Sequence, residues 1–239
     1  MNTDKSTPTH TPMPVTEIAF ILDRSGSMSS VTESAIAGFN RFLRDQQAAD
    51  AADAEGIARL TLVLFDDRYE VPVDNIPVSE AVELDTTTYV PRGTTALLDA
   101  IGTTIRNVRR RHKALPQAER PEKVIFAIFT DGLENASRRH TWQDIAARIE
   151  KRREKDGWEF LFLGANQDAI ATAAQMNIRA RDAATYHSSA EGTLHAKAAF
   201  SRKVSSLRAG SKADASGVRE DAAKSLSEIL DEEERRDEV

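Results

Sequence analysis

Three short stretches carry oxygen-bearing side chains at places where a chain turns: Asp23-Arg24-Ser25-Gly26-Ser27, Gly93-Thr94-Thr95 and Thr130-Asp131-Gly132. The first follows the apolar run Ile18-Ala19-Phe20-Ile21-Leu22, which reads as a buried strand. Gly26 then accepts whatever dihedrals a sharp turn demands. One carboxylate and two hydroxyls are thereby clustered at a strand end. Ligands that are all oxygen suit a hard divalent cation, Mg2+ or Mn2+, better than zinc. The plainer reading is that Asp23 ends a strand and that Ser25, Ser27 and Ser30 cap the helix that follows. The fragment alone leaves both readings open.

Strands and helices must bring these stretches together. Strands are predicted at about Thr16–Asp23, Arg59–Asp66, Lys123–Thr130 and Trp158–Leu163, with a short one near Ala183–His187. The Lys123–Thr130 run is the most apolar and is expected to be buried on both faces. Tyr69–Val78 contains Pro72 and Pro77 and reads as an antiparallel edge strand, turned back by Asp66-Asp67-Arg68. Ser30-x-x-Glu33 and Thr141-x-x-Asp144 read as capping boxes opening helices. Another amphipathic helix follows Gly93, with Leu97, Leu98, Ile101, Ile105 and Val108 on one face. Ala48–Gly56 reads as a connection, Gln167–Met176 as a short helix, and Ser189–Arg208 as a closing helix. This alternation predicts an α/β fold: a Rossmann-like, open, twisted, mostly parallel sheet with one antiparallel edge strand and helices on both faces. In such sheets ligands sit outside the carboxyl ends of the strands, where the strand order reverses. All three stretches belong there.

The organisation read from composition is a disordered Thr/Pro-rich tail over 1–14, one domain over 15–208, and an acidic C-terminal tail over 209–239, disordered or a short helix. The formal charge is −6, and Ser211–Val239 holds ten acidic and five basic residues, so the rest is near neutral. Arg109-Arg110-Arg111 ends a helix and is read as complementing its dipole, so nucleic acid is not an expected partner. The absence of cysteine fits a reducing, cytoplasmic setting. No segment has the roughly 20 apolar residues of a membrane span. The five histidines have no ligand spacing. Asp99 is read as surface or capping; Glu134 and Asn135, beside Asp131, are read first as solvated loop, with support of the site or contact with a partner as the alternatives.

Taken in order, Asp23-x-Ser25-x-Ser27, Thr95-Ala96-Leu97-Leu98-Asp99-Ala100 and Thr130-Asp131-Gly132 resemble the von Willebrand factor A-type (vWA) domain and its metal-ion-dependent adhesion site (MIDAS). The resemblance covers about Val15 to Arg208 and is nearest to the compact bacterial cytosolic members. It implies that Asp23, Ser25, Ser27, Thr95 and Asp131 hold the metal, Mg2+ or Mn2+. It implies a binding module, not an enzyme, in which the metal captures an Asp or Glu carboxylate of a partner protein. The acidic tail is a candidate for docking on the chain's own metal site. The rival readings are a metal-dependent phosphoesterase, or a regulatory subunit of a larger ATPase-type complex. Against the phosphoesterase, Ser25 stands where a phosphatase of haloacid dehalogenase type has its second Asp, and no Gly-x-Ser-x-Gly or phosphate-binding loop is present.

Overall fold

The computed structural model describes residues 14–52, 56–165, 168–209 and 216–236; the expected 1–14 tail lies outside these apart from Pro14. The elements run β1 (Val15–Asp23), a 3-10 turn (Gly26–Val31), α1 (Thr32–Ala52), β2 (Ile57–Phe65), β3 (Tyr69–Pro77), α2 (Leu97–Ala114), β4 (Lys123–Thr130), α3 (Trp142–Asp156), β5 (Glu159–Ala165), α4 (Ala169–Gln175), β6 (Ala183–Tyr186), α5 (Ala190–Ala209), α6 (Ser216–Ala223) and α7 (Leu226–Arg236). The sheet order is β3-β2-β1-β4-β5-β6. Every pairing is parallel except β2 with β3. The chain leaves β1 toward one edge and later re-enters at β4 on its other side. The carboxyl ends of β1 and β4 therefore flank the switch point. The sequence-derived fold class is the one observed.

Alternation along the central strands divides the core in two. Phe20, Leu22, Ile125, Ala127 and Phe129 face α1, α5 and α7, and Ala19, Ile21, Val124, Phe126 and Ile128 face α2, α3 and α4. Phe20 packs on Phe39 and Phe42 at centroid distances of 5.3 and 4.8 Å, and Phe200 of α5 closes the group. On the opposite face Phe126 stacks on Trp158 and Phe160. Burying each such side chain stabilises by about 1.5–3 kcal/mol. The core is therefore thickest under β1 and β4, the strands that end at the three loops.

Local signals explain where the elements begin and end. The capping box of α3 forms as read: Asp144 N–H donates to Thr141 Oγ1, and Thr141 N–H donates to Asp144 Oδ2. Gly157 ends that helix at φ 66°, a left-handed conformation that favours glycine. Two readings are corrected. Ser30-x-x-Glu33 makes no capping box, because the 3-10 turn runs straight into α1; Thr32 Oγ1 instead donates to the carbonyls of Met28 and Ser29. Nor is 48–56 simply a connection, since α1 continues to Ala52.

The segment from Leu226 to Arg236 is helical, and Leu226, Ile229 and Leu230 complete the core on the α5 side. Arg202 of α5 binds Asp221, Glu232 and Glu233. Lys203 donates to the carbonyls of Asp221, Ala222 and Lys224. Ser227 Oγ donates to the carbonyl of Ala183, at the start of β6. These contacts gather the tail's acids at the end of the sheet remote from the three loops. Covered by the sheet on one side and by α6 and α7 on the other, α5 is buried almost all round, which is why its sequence shows only a weak stripe.

Candidate functional site

The strand register delivers the first and third loops side by side. Leu22 pairs with Phe129 across β1 and β4, so Asp23 and Thr130 follow as neighbours. Thr130 Oγ1 donates to Asp23 Oδ2 at 2.5 Å, and the N–H of Ser25 donates to Asp23 Oδ1 at 2.7 Å. Ser25 Oγ and Ser27 Oγ lie 3.1 Å apart, and Ser27 Oγ donates to Asp131 Oδ1 at 2.6 Å. Asp23 and Ser25 are buried, whereas Ser27 is exposed. The cluster is thus rooted in the core and open at its rim.

Thr95 arrives from the second loop. A Cβ added at Gly132 would sit 2.8 Å from Thr95 Oγ1, 3.4 Å from Ser27 Oγ and 3.6 Å from Asp23 Oδ2. One small space beside Gly132 of the third loop is therefore bordered by oxygens of the first and second loops, and a side chain there would fill it. The structure brings together all five residues singled out from the sequence.

Charge at the site is under-compensated. Burial pushes the Asp23 carboxyl up to about 6, against the hydrogen bonds from Thr130 and Ser25 and with added repulsion from Asp131. Burial also raises Asp131, against the Ser27 hydrogen bond. Among the described residues no Lys, Arg or His pairs with either carboxylate. The arrangement suits a hard cation: two hydroxyls and one carboxylate oxygen border the space, Ser25 and Asp131 adjoin it through Ser27, and no cationic side chain among the described residues pairs with either carboxylate. Among the described residues no group of three or more His, Cys, Asp or Glu gathers to hold a metal. The donor set here, with only two carboxylates, is of a different kind.

A second tier holds the loops, and the sequence reading missed most of it. Asp66, fully buried, receives Arg24 Nε at 3.1 Å and Arg92 Nε at 2.9 Å, tying the first loop to the second. Backbone bonds repeat the tie, from Arg92 N to the Arg24 carbonyl and from Gly26 N to the Gly93 carbonyl. Tyr89 Oη, buried under the site, donates to the Asp23 carbonyl at 2.6 Å.

The second and third loops are joined by Asn135, whose Oδ1 accepts from Thr95 N and whose N–H donates to the Thr95 carbonyl, both at 3.0 Å. Glu134 Oε2 accepts from Leu98 N, and Asp99 accepts from the N–H groups of Arg138, Arg139 and His140. Glu134 and Asn135 thus brace the loops, the alternative to solvated loop, and Asp99 holds the backbone ahead of α3 without capping a helix. One sequence signal pointed this way. Ala96 stands at the N-cap of α2 and offers no side-chain acceptor, so the first-turn N–H groups need acceptors from elsewhere.

No family model matches the chain, and no curated protein matches it. Solved structures share its fold. The SpaC pilus adhesin of Lactobacillus rhamnosus GG in its open conformation superposes with TM-score 0.58 at 14% identity, over 82% of this chain and 30% of that one. The vWF domain of the type V pili tip protein Mfa5 from Porphyromonas gingivalis gives 0.53 at 13%, over 80% and 95%. Proximal thread matrix protein 1 from the mussel byssus, with a zinc-occupied MIDAS motif, gives 0.51 at 15%, over 81% and 46%. The chain thus spans just under half the length of the mussel protein. At these identities the likeness is one of fold: the chain has a vWA-like α/β fold, shared with adhesion, matrix and pilus proteins.

Proposed function

We propose that this chain is a divalent-metal-dependent protein-binding module. In this reading Asp23, Ser25, Ser27, Thr95 and Asp131 hold Mg2+ or Mn2+, and a partner protein supplies an Asp or Glu carboxylate. The observation that carries it is the space beside Gly132, bordered by Thr95 Oγ1, Ser27 Oγ and Asp23 Oδ2. When bound, the metal would supply a positive charge that neutral hydroxyls leave partly uncompensated, and so an affinity for a further anionic oxygen. The chain's own residues do the rest. Asp23 is fixed by Thr130 and the Ser25 N–H, so its carboxylate is oriented in advance. Ser27 and Asp131 lie at the open rim, where a partner can approach. Leu133, 67% exposed and two residues beyond Asp131, offers the partner an apolar contact.

The vWA-like fold, and neighbours whose names include a pilus adhesin and a zinc-occupied MIDAS, support a binding role over a catalytic one. The test is a pull-down of partner proteins from lysate with Mg2+, Mn2+, Zn2+ or EDTA, paired with metal titration of the purified chain by calorimetry. Wild type is expected to bind one ion and to release its partner in EDTA. Asp23→Ala is expected to lose both properties while keeping its circular dichroism spectrum. Capture unchanged by EDTA, or metal-dependent phosphatase turnover abolished by Asp23→Ala, would reject this reading.

A further inference from the structure

The cations of this molecule are distributed unevenly. Across the α1–α5–α7 face several are paired: Arg44 with Glu83, Arg202 with three carboxylates, Arg208 with Asp50, and Lys224 with Glu220 and Glu232. Between α2 and α3 the opposite holds. Arg106, Arg109, Arg110 and Lys113 repeat at i, i+3, i+4 and i+7 along α2, and Arg148 and Lys151 face them from α3. Among the described residues none of these six has an acidic partner within salt-bridge distance. They line a groove of about 800 Å³. It continues into a second hollow of about 770 Å³, to which Arg120 and Lys155 add their charges. The acids along it are three: Asp144 is held by Thr141 and Asp156 by Arg152, while Glu122 stands exposed in the second hollow. Burial lowers Arg152 at the groove floor, and the nearby charge of Arg109 lowers it further, against Asp156. The third arginine of the Arg109-Arg110-Arg111 run turns away, to Glu17 and Asp74. Only the other two are left for the groove.

We propose that the α2–α3 groove is a docking site for an acidic protein segment, a stretch of chain rich in Asp and Glu. It is a surface separate from the metal site and does not depend on it. Several unpaired cations held on two helices of a chain with formal charge −6 repel one another, and an acidic segment laid along the groove relieves that repulsion. The shape and lining favour a peptide over other polyanions. A nucleic acid strand is gripped by aromatic platforms as well as charge; of the two rings lining this groove, Trp158 is only 3% exposed and His112 is held on Glu17. A bilayer surface is met by exposed apolar side chains beside the cations. The large exposed apolar residues, Val82, Val90, Leu133 and Ile170, do not line the groove.

The experiment uses the full chain in EDTA, so that no metal contributes, with a fluorescein-labelled poly-glutamate peptide followed by anisotropy. Binding is expected to weaken with added salt and to fall about tenfold in the double variant Arg110→Glu/Lys151→Glu. The milder pair Arg106→Gln/Arg148→Gln, also at exposed positions, is expected to lose about threefold. Arg41→Glu/Arg235→Glu carries the same change in net charge on α1 and α7 and is expected to bind as wild type does. The proposal is overturned if the groove variants bind as well as wild type, or if the α1/α7 control weakens as much as they do. It is also overturned if an oligo-dT strand or phosphatidylserine vesicles bind more tightly than the peptide.

Discussion

Strand β1 carries a buried carboxylate near each end, and the two are treated in opposite ways. Glu17, 1% exposed, lies at the amino end, where Arg111 binds one oxygen and His112 Nε2 lies 2.6 Å from the other. Burial raises its pKa, but the bonds and charges of His112 and Arg111 outweigh that and hold the carboxyl below its ordinary range. Asp23, fully buried at the carboxyl end, has hydrogen bonds from Thr130 and Ser25 but no cation among the described residues, and its carboxyl is pushed up. One strand thus holds an acid that the fold answers and an acid that it leaves under-answered. A buried carboxylate lacking a positive partner is costly. The contrast therefore separates a structural ion pair from a place suited to a positive charge from outside.

The largest expected effect breaks the pair directly. Glu17→Gln leaves Arg111 largely buried without its main counter-charge and is expected to cost about 2–3 kcal/mol, less than a fully buried pair because Arg111 is partly exposed. Asp23→Asn removes a charge that had no cation to lose and is expected to cost under about 1 kcal/mol in EDTA. Urea unfolding of both variants compares the two ends; equal costs would end the distinction. The pH dependence sharpens it. Because the folded pKa of Glu17 lies below its ordinary 4.5, its contribution is present above that value and disappears as pH falls through the folded pKa. Wild type is therefore expected to lose more stability than Glu17→Gln in unfolding curves taken at successively lower pH below 4.5.

A smaller effect probes the space at the under-answered end. Gly132→Ala would place a methyl 2.8 Å from Thr95 Oγ1 and is expected to weaken Mg2+ or Mn2+ binding about tenfold in calorimetry, about 1.4 kcal/mol. Undiminished metal binding would show that this space is not the one occupied. The smallest concerns the brace. Asn135→Ala removes the acceptor for Thr95 N and is expected to reduce metal affinity about threefold, with a loss of about 1 kcal/mol or less in stability.

How far each part of the site was legible follows from how it is built. Of the five residues of the proposed metal site, Asp23, Ser25, Ser27 and Asp131 lie in short motifs directly after apolar runs, and Thr95 lies directly before an amphipathic helix; their type and order, matched to the family resemblance, nominated them. Asp66, Tyr89, Arg92 and Asn135 lie in loops without periodicity. Their partners are far along the chain, as when Asp66 joins Arg24 across 42 positions and Tyr89 reaches Asp23 across 66. No local pattern encodes such a pairing. The α2–α3 groove shows the same limit. Arg109-Arg110-Arg111 looked like one basic run, but helix geometry turns Arg111 inward and leaves its neighbours outside.

The succession of strands and helices along the chain, the antiparallel proline-bearing edge, the capping box of α3 and the identity of the five clustered side chains were set by local sequence, because alternation, chain breakers and caps act over a few residues. Tertiary structure decided which buried acid received a cation, which arginines stayed unpaired, and how the acidic C-terminal helices found Arg202 and Lys203. Those outcomes depend on distance between groups remote in sequence. Electrostatic energy follows that distance and its surroundings, not the order of residues in the chain.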